Sequence, residues 1–276
     1  MSTARAVLPE PATPAGRVGL AALLAGPGQA LAALDFDGTL SPIVADPAQA
    51  RAHPDAVPAL RRLAGVLGTL AVITGRPAEV AADLGGFGQV PGLIVLGQYG
   101  LERWVNGQLS VPPTPPGVAA ARAELPALLA EAGAPDGVQA EDKGLAVAVH
   151  TRRAADPQAA LDRLRGPLAG LAGRHGLTVE PGRLVIELRP PGTDKGNALK
   201  NLVAERKSRA VMFCGDDLGD VAAFGAVRAL RGSGIPGLTV CSGSAEVTAL
   251  AESADLVVDG PDGIAALLTA LADTLA

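Results

Sequence analysis

The chain has 276 residues, a formal net charge of −5 at pH 7 and only 2% aromatic residues. This length suggests one or two domains, whose core must be built from aliphatic side chains. We expect no nucleic-acid partner, because the net charge is negative and the sequence has no sustained basic run. We also expect no membrane partner, since no apolar stretch approaches the roughly 18 residues of a membrane span.

The amino-terminal residues and the two cysteines indicate the cellular compartment in which the protein is found. Residues 1–16 contain Glu10 and three prolines, unlike the apolar core of a signal peptide, and are predicted to form a flexible tail. Cys214 and Cys241 each lie in an apolar, strand-like run. Such isolated thiols are typical of buried residues rather than of a disulfide or a metal site. The sequence therefore predicts a cytoplasmic protein.

A short apolar run at residues 31–34 ends abruptly in the sequence DFDGT, residues 35–39. A buried strand that delivers two carboxylates at its carboxyl end places them where open α/β sheets carry their chemistry. In phosphoryl transfer, one of Asp35 and Asp37 can attack phosphorus while the other shuttles a proton to the leaving oxygen. The alternative is a strand that ends in an ordinary Asp turn.

Three further segments place polar residues at predicted strand ends or helix starts. They are TGRP at residues 74–77, TDKG at 193–196 and GDDLGD at 215–220. The Thr74 hydroxyl and the amino terminus of the helix that follows it are suited to bind phosphate, whereas Lys195 can offset negative charge. Taken alone, Thr74 could be an ordinary helix cap, Lys195 a lysine on a helix surface, and the GDDLGD segment a solvated acidic loop. Together they predict a joint site for Mg²⁺ and phosphate.

Apolar runs alternate with helical patterns in two parts of the chain, which predicts a doubly wound α/β fold with a mostly parallel sheet. Between the proline-rich stretches PPTPPG, residues 112–117, and RPPG, residues 189–192, the pattern changes to a small α+β unit. We therefore predict a catalytic core formed by residues 17–111 and 190–276. Residues 112–189 are predicted to be an inserted cap domain that can move relative to the core.

The motifs DFDGT, TGR, DKG and GDDLGD resemble those of the haloacid dehalogenase superfamily of phosphatases. The resemblance implies that Asp35 forms an aspartyl-phosphate and that Asp37 acts first as an acid and then as a base. Thr74 and Lys195 are implied to bind the phosphoryl group, and Gly75 and Arg76 are implied to contact the substrate. The implied ligands of Mg²⁺ are Asp35, the backbone carbonyl of Asp37 and Asp216. Asp217 and Asp220 are implied to surround these ligands and support them.

The stretches between the motifs, among them GQYGLE, EDKGLAVAVHTR and IELRPPGTDKG, are similar to those of trehalose-6-phosphate phosphatases. The similarity implies that the cap binds sugar hydroxyls through Glu141, Lys143, His150, Arg152 and Glu187. From the residues alone, Glu187 could equally pair with Arg189, and His150 could be a structural histidine. The chain departs from the family where Tyr99 replaces a usual His, and where Gly219 and Val221 replace a usual Thr and Glu.

The sequence thus predicts a monomeric, Mg²⁺-dependent phosphatase that hydrolyses a small-molecule sugar phosphate, trehalose 6-phosphate. One alternative keeps the chemistry and changes the substrate, to a sucrose phosphate or a mannosyl phosphoglycerate. Another is a catalytically silent sugar-phosphate sensor, which would have no need of the nucleophile that the sequence retains. A mutase is also conceivable, but a cap that grips a disaccharide favours release of the product.

Overall fold

The structure is a computed structural model that describes residues 7–182, 184–243 and 248–276. The chain divides into two compact units, one formed by Met1–Val111 with Asp194–Ala276 and the other by Pro112–Thr193. The sequence places the return to the core at residue 190. In the structure the two compact units divide after Thr193.

Strands and α-helices alternate along much of the chain. The strands are β1 (Ala30–Leu34), β2 (Thr69–Ile73), β3 (Ile94–Gly97), β4 (Glu102–Val105), β5 (Gln108–Ser110), β6 (Gln139–Asp142), β7 (Val147–His150), β8 (Thr178–Gly182), β9 (Val185–Arg189), β10 (Ala210–Gly215), β11 (Gly237–Gly243) and β12 (Leu256–Asp259). The α-helices are α1 (Pro14–Ala25), α2 (Ala56–Leu63), α3 (Ala78–Gly85), α4 (Pro116–Glu131), α5 (Pro157–Arg174), α6 (Lys195–Arg206), α7 (Val221–Gly232), α8 (Thr248–Ser253) and α9 (Gly260–Leu275).

The first unit is built on an eight-stranded sheet with the order β12-β11-β10-β1-β2-β3-β4-β5. The strands from β12 to β3 run parallel, and β4 and β5 add an antiparallel hairpin at one edge. One face of the sheet packs against α1, α2, α3 and α9, and the other packs against α6, α7 and α8. This arrangement confirms the predicted α/β fold class.

The central strand β1 is buried along its whole length, as its run of Leu and Ala requires. Leu34, its last residue, lies in register with Cys214 of β10 and Val72 of β2. Because these three strands are parallel, their carboxyl ends meet at one edge of the sheet. The polar residues that follow each strand are therefore brought together.

The second unit contains a four-stranded antiparallel sheet with the order β6-β7-β9-β8. Alternate residues of β7 and β9, Val147, Val149, Ile186 and Leu188, form an apolar core with residues of α4 and α5. The remaining residues of these strands lie on the opposite face of the sheet, because successive side chains of a strand alternate.

The amino-terminal segment differs from the predicted flexible tail. Residues 1–6 of that tail lie outside the described residues, but α1 already begins at Pro14. The Thr13 hydroxyl accepts a hydrogen bond from the backbone N–H of Gly16 and also contacts the Asp255 carboxylate. The N–H of Ala12 donates to the Asp255 carbonyl over 2.7 Å. Residues 12–16 thus form a cap and the first turn of a helix that Asp255, distant in sequence, holds in place.

Among the described residues, no helix combines the length and the apolar character needed to cross a bilayer.

Candidate active site

Asp35 lies directly after β1, and its backbone N–H extends the strand ladder by donating to the Cys214 carbonyl over 2.9 Å. The side chain is buried, and the residue as a whole is only 4% exposed. Lys195, the first residue of α6, places its Nζ atom 2.8 Å from Asp35 Oδ1 and 2.8 Å from Asp220 Oδ1. The site therefore has a buried ammonium group between two buried carboxylates.

The electrostatics of this cluster follow from burial and from the charges within it. Burial raises the pKa of Asp35 well above its usual range, although the nearby Lys195 ammonium opposes this shift. Burial alone would lower the pKa of Lys195, but Asp220 and Asp35 raise it well above the usual value. Lys195 is thus held as a cation beside the carboxylate that the sequence suggests as a nucleophile.

Asp35, Asp216 and Asp220 can each present an oxygen such that the three oxygens lie within 4.8 Å of one another. Asp220 is already engaged, because its Oδ1 binds Lys195 and its Oδ2 accepts the backbone N–H of Asp216 over 3.0 Å. Burial, followed by repulsion from Asp220 and Asp217, raises the pKa of Asp216 to about 7. Such excess negative charge among hard oxygen ligands fits a divalent cation such as Mg²⁺, which Asp35 and Asp216 would hold.

The turn after Asp35 approaches Asp216 so closely that only glycine fits at position 38. Gly38 has a φ of 71°, and a Cβ atom there would lie 2.0 Å from Asp216 Oδ2. The Gly38 carbonyl accepts a hydrogen bond from the Ser242 hydroxyl, and the Thr39 hydroxyl donates to Asp216 Oδ1 over 3.1 Å. The DFDGT turn and the acidic loop therefore pack directly against each other on one side of the site.

The Arg76 side chain binds the Asp37 carboxylate, a pairing that the sequence did not indicate. Its Nε and Nη2 atoms donate to the two carboxylate oxygens of Asp37 over 2.7 and 2.6 Å. The hydrogen bonds to Asp37 raise the pKa of Arg76. The guanidinium also lies 5.6 Å from the centre of the Phe36 ring. Two charge-assisted bonds in a fork fix the orientation of the Asp37 carboxylate.

Thr74 is buried at the carboxyl end of β2, and its hydroxyl accepts the backbone N–H of Arg76 over 3.2 Å. This leaves the hydroxyl proton able to donate to a phosphate oxygen. At the amino terminus of α3, which the sequence predicts to contact phosphate, the Ala78 N–H donates to Glu102 Oε2 over 2.6 Å. Sequence reasoning did not single out Glu102, although it is the last residue of the GQYGLE stretch.

In the second unit, Glu141, Ala148, Glu187 and Glu180 are neighbours in register across the four strands. The ion pairs on this polar face are Lys143 with Glu187, His150 with Glu141 and Arg189 with Glu180. Glu187 thus pairs with Lys143, and Arg189 pairs with Glu180. Arg152 is exposed in the turn that follows β7.

The residues that depart from the family pattern all belong to the first unit. Tyr99 adopts a left-handed backbone conformation, with a φ of 59°, and its hydroxyl lies against Gly75. Gly219 donates its N–H to Asp217 Oδ1, and Asp217 and Asp220 form a reciprocal capping box. The acidic loop therefore has internal support without the usual Thr and Glu.

The sheet is mostly parallel, and its central strand is followed by Asp35, with Lys195 and an acidic loop at the same edge. Together with the inserted α+β unit, this is the α/β architecture that the resemblance to haloacid dehalogenase phosphatases implies. A family model described as trehalose-phosphatase matches residues 33–258. The chain belongs to this trehalose-phosphatase family.

Two curated relatives illustrate the similarity in sequence. A protein of Mycobacterium tuberculosis named as an uncharacterized glycosyl hydrolase is 38% identical over 71% of this chain and 15% of its own length. The trehalose-phosphate phosphatase of Mycobacterium avium is 36% identical over 87% of this chain and 61% of its own. The chain therefore spans less than two thirds of these relatives.

The carboxy-terminal domain of Candida albicans trehalose-6-phosphate phosphatase superposes with a TM-score of 0.73. The match covers 96% of this chain and 99% of that one, at 21% sequence identity. At this identity the likeness establishes the shared fold.

Proposed function

We propose that this chain hydrolyses trehalose 6-phosphate to trehalose and phosphate, with Mg²⁺ and through an aspartyl-phosphate on Asp35. The observation that carries the proposal is the cluster at the end of β1, where the Lys195 ammonium lies 2.8 Å from both Asp35 and Asp220. A buried carboxylate beside a fixed cation is suited to meet an anionic phosphate, since the cation offsets their repulsion.

In the first step, an oxygen of Asp35 bonds to phosphorus while the bond from phosphorus to the sugar oxygen breaks. Asp37 delivers a proton to that departing oxygen. In the second step Asp37 takes a proton from water, whose oxygen bonds to phosphorus as the bond to Asp35 breaks. Phosphate leaves, and both carboxyl groups return to their first state. Bound Mg²⁺ would neutralise negative charge on the phosphoryl oxygens.

The remaining assignments complete the proposal. Thr74 and Lys195 bind the phosphoryl group, and Gly75 and Arg76 contact the substrate, with Arg76 also orienting Asp37. Asp217 and Asp220 support the metal ligands. The polar face of the second unit supports a sugar-binding role for the residues Glu141, Lys143, His150, Arg152 and Glu187. We also propose a monomeric, cytoplasmic enzyme. The buried, free thiols of Cys214 and Cys241 are compatible with a reducing compartment.

The test is phosphate release from a panel of phosphorylated sugars in the presence of Mg²⁺. The panel contains trehalose 6-phosphate, sucrose phosphate, mannosyl phosphoglycerate and glucose 6-phosphate. We expect kcat/KM for trehalose 6-phosphate to exceed the others by at least about tenfold, as differential binding of a second sugar allows. If the protein prefers another sugar phosphate of the panel, that compound replaces trehalose 6-phosphate as the proposed substrate. Binding without turnover would favour the sensor.

A further inference from the structure

Glu102, the first residue of β4, is a buried acid that the proposed reaction does not use. Its side chain accepts two short hydrogen bonds, from the backbone N–H of Ala78 and from the amide Nε2 of Gln98, each over 2.6 Å. The residue as a whole is only 8% exposed. A carboxylate with a donor on each oxygen is fixed in place, and it fixes both donors in turn.

Both donors belong to segments that meet at the turn after β2. Ala78 begins α3, directly after the TGRP sequence. The backbone N–H of Gln98 donates to the Arg76 carbonyl over 2.8 Å, and that of Tyr99 donates to the Thr74 carbonyl over 2.9 Å. Glu102 therefore connects Ala78, which follows the TGRP turn, to the segment of Gln98 and Tyr99, which hydrogen-bonds the turn itself.

The segment after β3 adopts a conformation that needs such support. Gln98 and Tyr99 have φ values of 45° and 59°, in the left-handed region that non-glycine residues rarely adopt. Two such residues in succession persist only where their surroundings hold them. Gly97 permits the close contact, because a Cβ atom there would lie 2.2 Å from the Ala78 nitrogen.

We propose that Glu102 is a positioning residue that holds the turn of residues 74–76 in the geometry that binds the phosphoryl group. The inference rests on the proposed function in assigning phosphate to that turn. Because every phosphate monoester presents the same phosphoryl group, Glu102 influences sugar and aryl phosphates alike. This distinguishes it from residues that bind the sugar.

The decisive variant is Glu102→Gln, which keeps the shape but replaces one acceptor oxygen with an NH₂ group. The negative charge that strengthens both hydrogen bonds is lost, and Gln98 must turn its amide to present an acceptor to the new NH₂ group. We expect kcat/KM to fall by about 10–100-fold, equally for trehalose 6-phosphate and p-nitrophenyl phosphate, as for a displacement of up to about 1 Å. The inhibition constant of the product, inorganic phosphate, should rise as well.

Exchanging the two side chains provides the rescue. In the double variant Glu102→Gln with Gln98→Glu, the amide introduced at position 102 can accept from Ala78 and donate to the carboxylate introduced at position 98. Both hydrogen bonds are restored with their directions compatible. We expect the double variant to recover most of the lost kcat/KM on both substrates. Failure of a folded double variant to recover would overturn the proposal.

Asp255→Asn is the matched control, because Asp255 is also a buried acid with hydrogen-bonded partners in the first unit. It accepts from the N–H and the hydroxyl of Thr239, and it precedes β12 at the opposite edge of the sheet. We expect a lower Tm with unchanged kcat/KM for folded protein. A loss of stability without a loss of kcat/KM in Glu102→Gln would mean that Glu102 is merely structural.

The readouts separate this inference from the proposed function. If the wild type prefers another sugar phosphate, kcat/KM for p-nitrophenyl phosphate still tests whether Glu102 positions the turn of residues 74–76. If the wild type hydrolyses neither substrate, the proposed function fails, and calorimetric binding of inorganic phosphate with Mg²⁺ tests Glu102. Should Glu102→Gln not fold, Gln98→Met removes one of the two donors. Phosphate affinity equal to that of the wild type in that variant contradicts the proposal.

Discussion

Asp216 is a single residue at which the needs of metal binding and of stability conflict. Its pKa is raised from 3.8 to about 7, mainly by burial and then by Asp220 and Asp217. The folded state therefore binds this proton more tightly than the unfolded state does. Between about pH 4 and pH 7, the contribution of Asp216 to the free energy of unfolding of the metal-free protein therefore falls as the pH rises.

Asp216→Asn removes the charge and keeps an oxygen that can accept from Thr39. At pH 8 without metal, we expect this variant to have a higher Tm than the wild type, by about 2–4 °C for each kcal/mol of repulsion relieved. The difference should shrink towards pH 4, where the wild-type carboxyl is protonated. Saturating Mg²⁺ should raise the Tm of the wild type only.

The measurement is thermal unfolding of both proteins across this pH range, with EDTA or with Mg²⁺. Asp162→Asn serves as a control, since Asp162 is an exposed acid of α5 that pairs with Arg165. An Asp216→Asn protein with a lower Tm than the wild type at pH 8 would contradict the electrostatic account.

Arg76 allows a second test at this scale, because its fork of hydrogen bonds orients the proposed acid. Arg76→Lys keeps the charge and loses the bidentate geometry. We expect kcat/KM for trehalose 6-phosphate to fall at least about tenfold more than that for p-nitrophenyl phosphate, whose leaving group needs no proton. The control is Arg103→Lys, where the same bidentate geometry joins Glu205 on the surface. Equal losses on both substrates would argue against orientation of Asp37.

The sequence could predict that Asp35, Lys195 and Asp216 lie near one another, because the ends of parallel strands meet at one edge of the sheet. It could not predict the pairing of Arg76 with Asp37. A motif specifies which side chains are present at a turn. Their orientation depends on contacts between turns that are distant in sequence.

Helix α6 shows how a secondary-structure element places a functional side chain. Asp194 caps the helix by accepting the backbone N–H of Asn197 over 2.7 Å, and Lys195 is its first residue. A cap fixes the direction in which the helix begins. The position of the Lys195 ammonium therefore depends on a local interaction that does not touch the substrate.

Asp194→Ala should destabilise the protein by about 1 kcal/mol and also lower kcat for p-nitrophenyl phosphate, because the first turn of α6 becomes less ordered. Asp156→Ala is the matched control, since Asp156 caps α5 of the second unit in the same way, through the N–H of Ala159. It should have a similar effect on stability and leave that kcat unchanged. Equal kcat values in the two variants, measured well below Tm, would refute the link to Lys195.

Elements defined by local chemistry were the easiest to predict. The pair Asn106 and Gly107 indicated a hairpin, and both have positive φ between β4 and β5. A proline inside a helix removes one backbone hydrogen bond and usually interrupts the helix, yet α4 continues through Pro126. The flexible tail predicted for residues 1–16 overlaps α1, which begins at Pro14 beside the contact of Thr13 with Asp255, near the other end of the chain. Local signals predict turns, whereas packing decides the ends of helices.

At the scale of the whole molecule, the two units present different chemistry. The first carries the acids and the lysine at the edge of its parallel sheet. The second carries paired charges on one face of its antiparallel sheet, and its other face is apolar. This division favours separate roles, in which the first unit acts on the phosphoryl group and the second recognises the sugar.

The division of roles predicts a selective effect of changes in the second unit. Glu187 accepts a hydrogen bond from the Lys143 ammonium, and Glu141 lies 2.7 Å from His150 Nε2. Glu187→Gln, Lys143→Met and Glu141→Gln should each reduce kcat/KM for trehalose 6-phosphate by roughly 10–100-fold, equivalent to about 1–3 kcal/mol for the loss of a polar partner. Hydrolysis of p-nitrophenyl phosphate, which has no sugar, should hardly change.

The control for these variants is Glu124→Gln, which removes a different set of charge contacts from the second unit, those with Arg174 and His175. Glu124 lies on α4, away from the polar sheet face, so neither substrate should be affected. The measurement is kcat/KM for both substrates in every variant, with Tm recorded beside it. Equal losses on the two substrates would show that Glu141, Lys143 and Glu187 support folding or general catalysis. The assignment of a sugar to the second unit would then have to be abandoned, because only a selective loss connects these charges to the sugar.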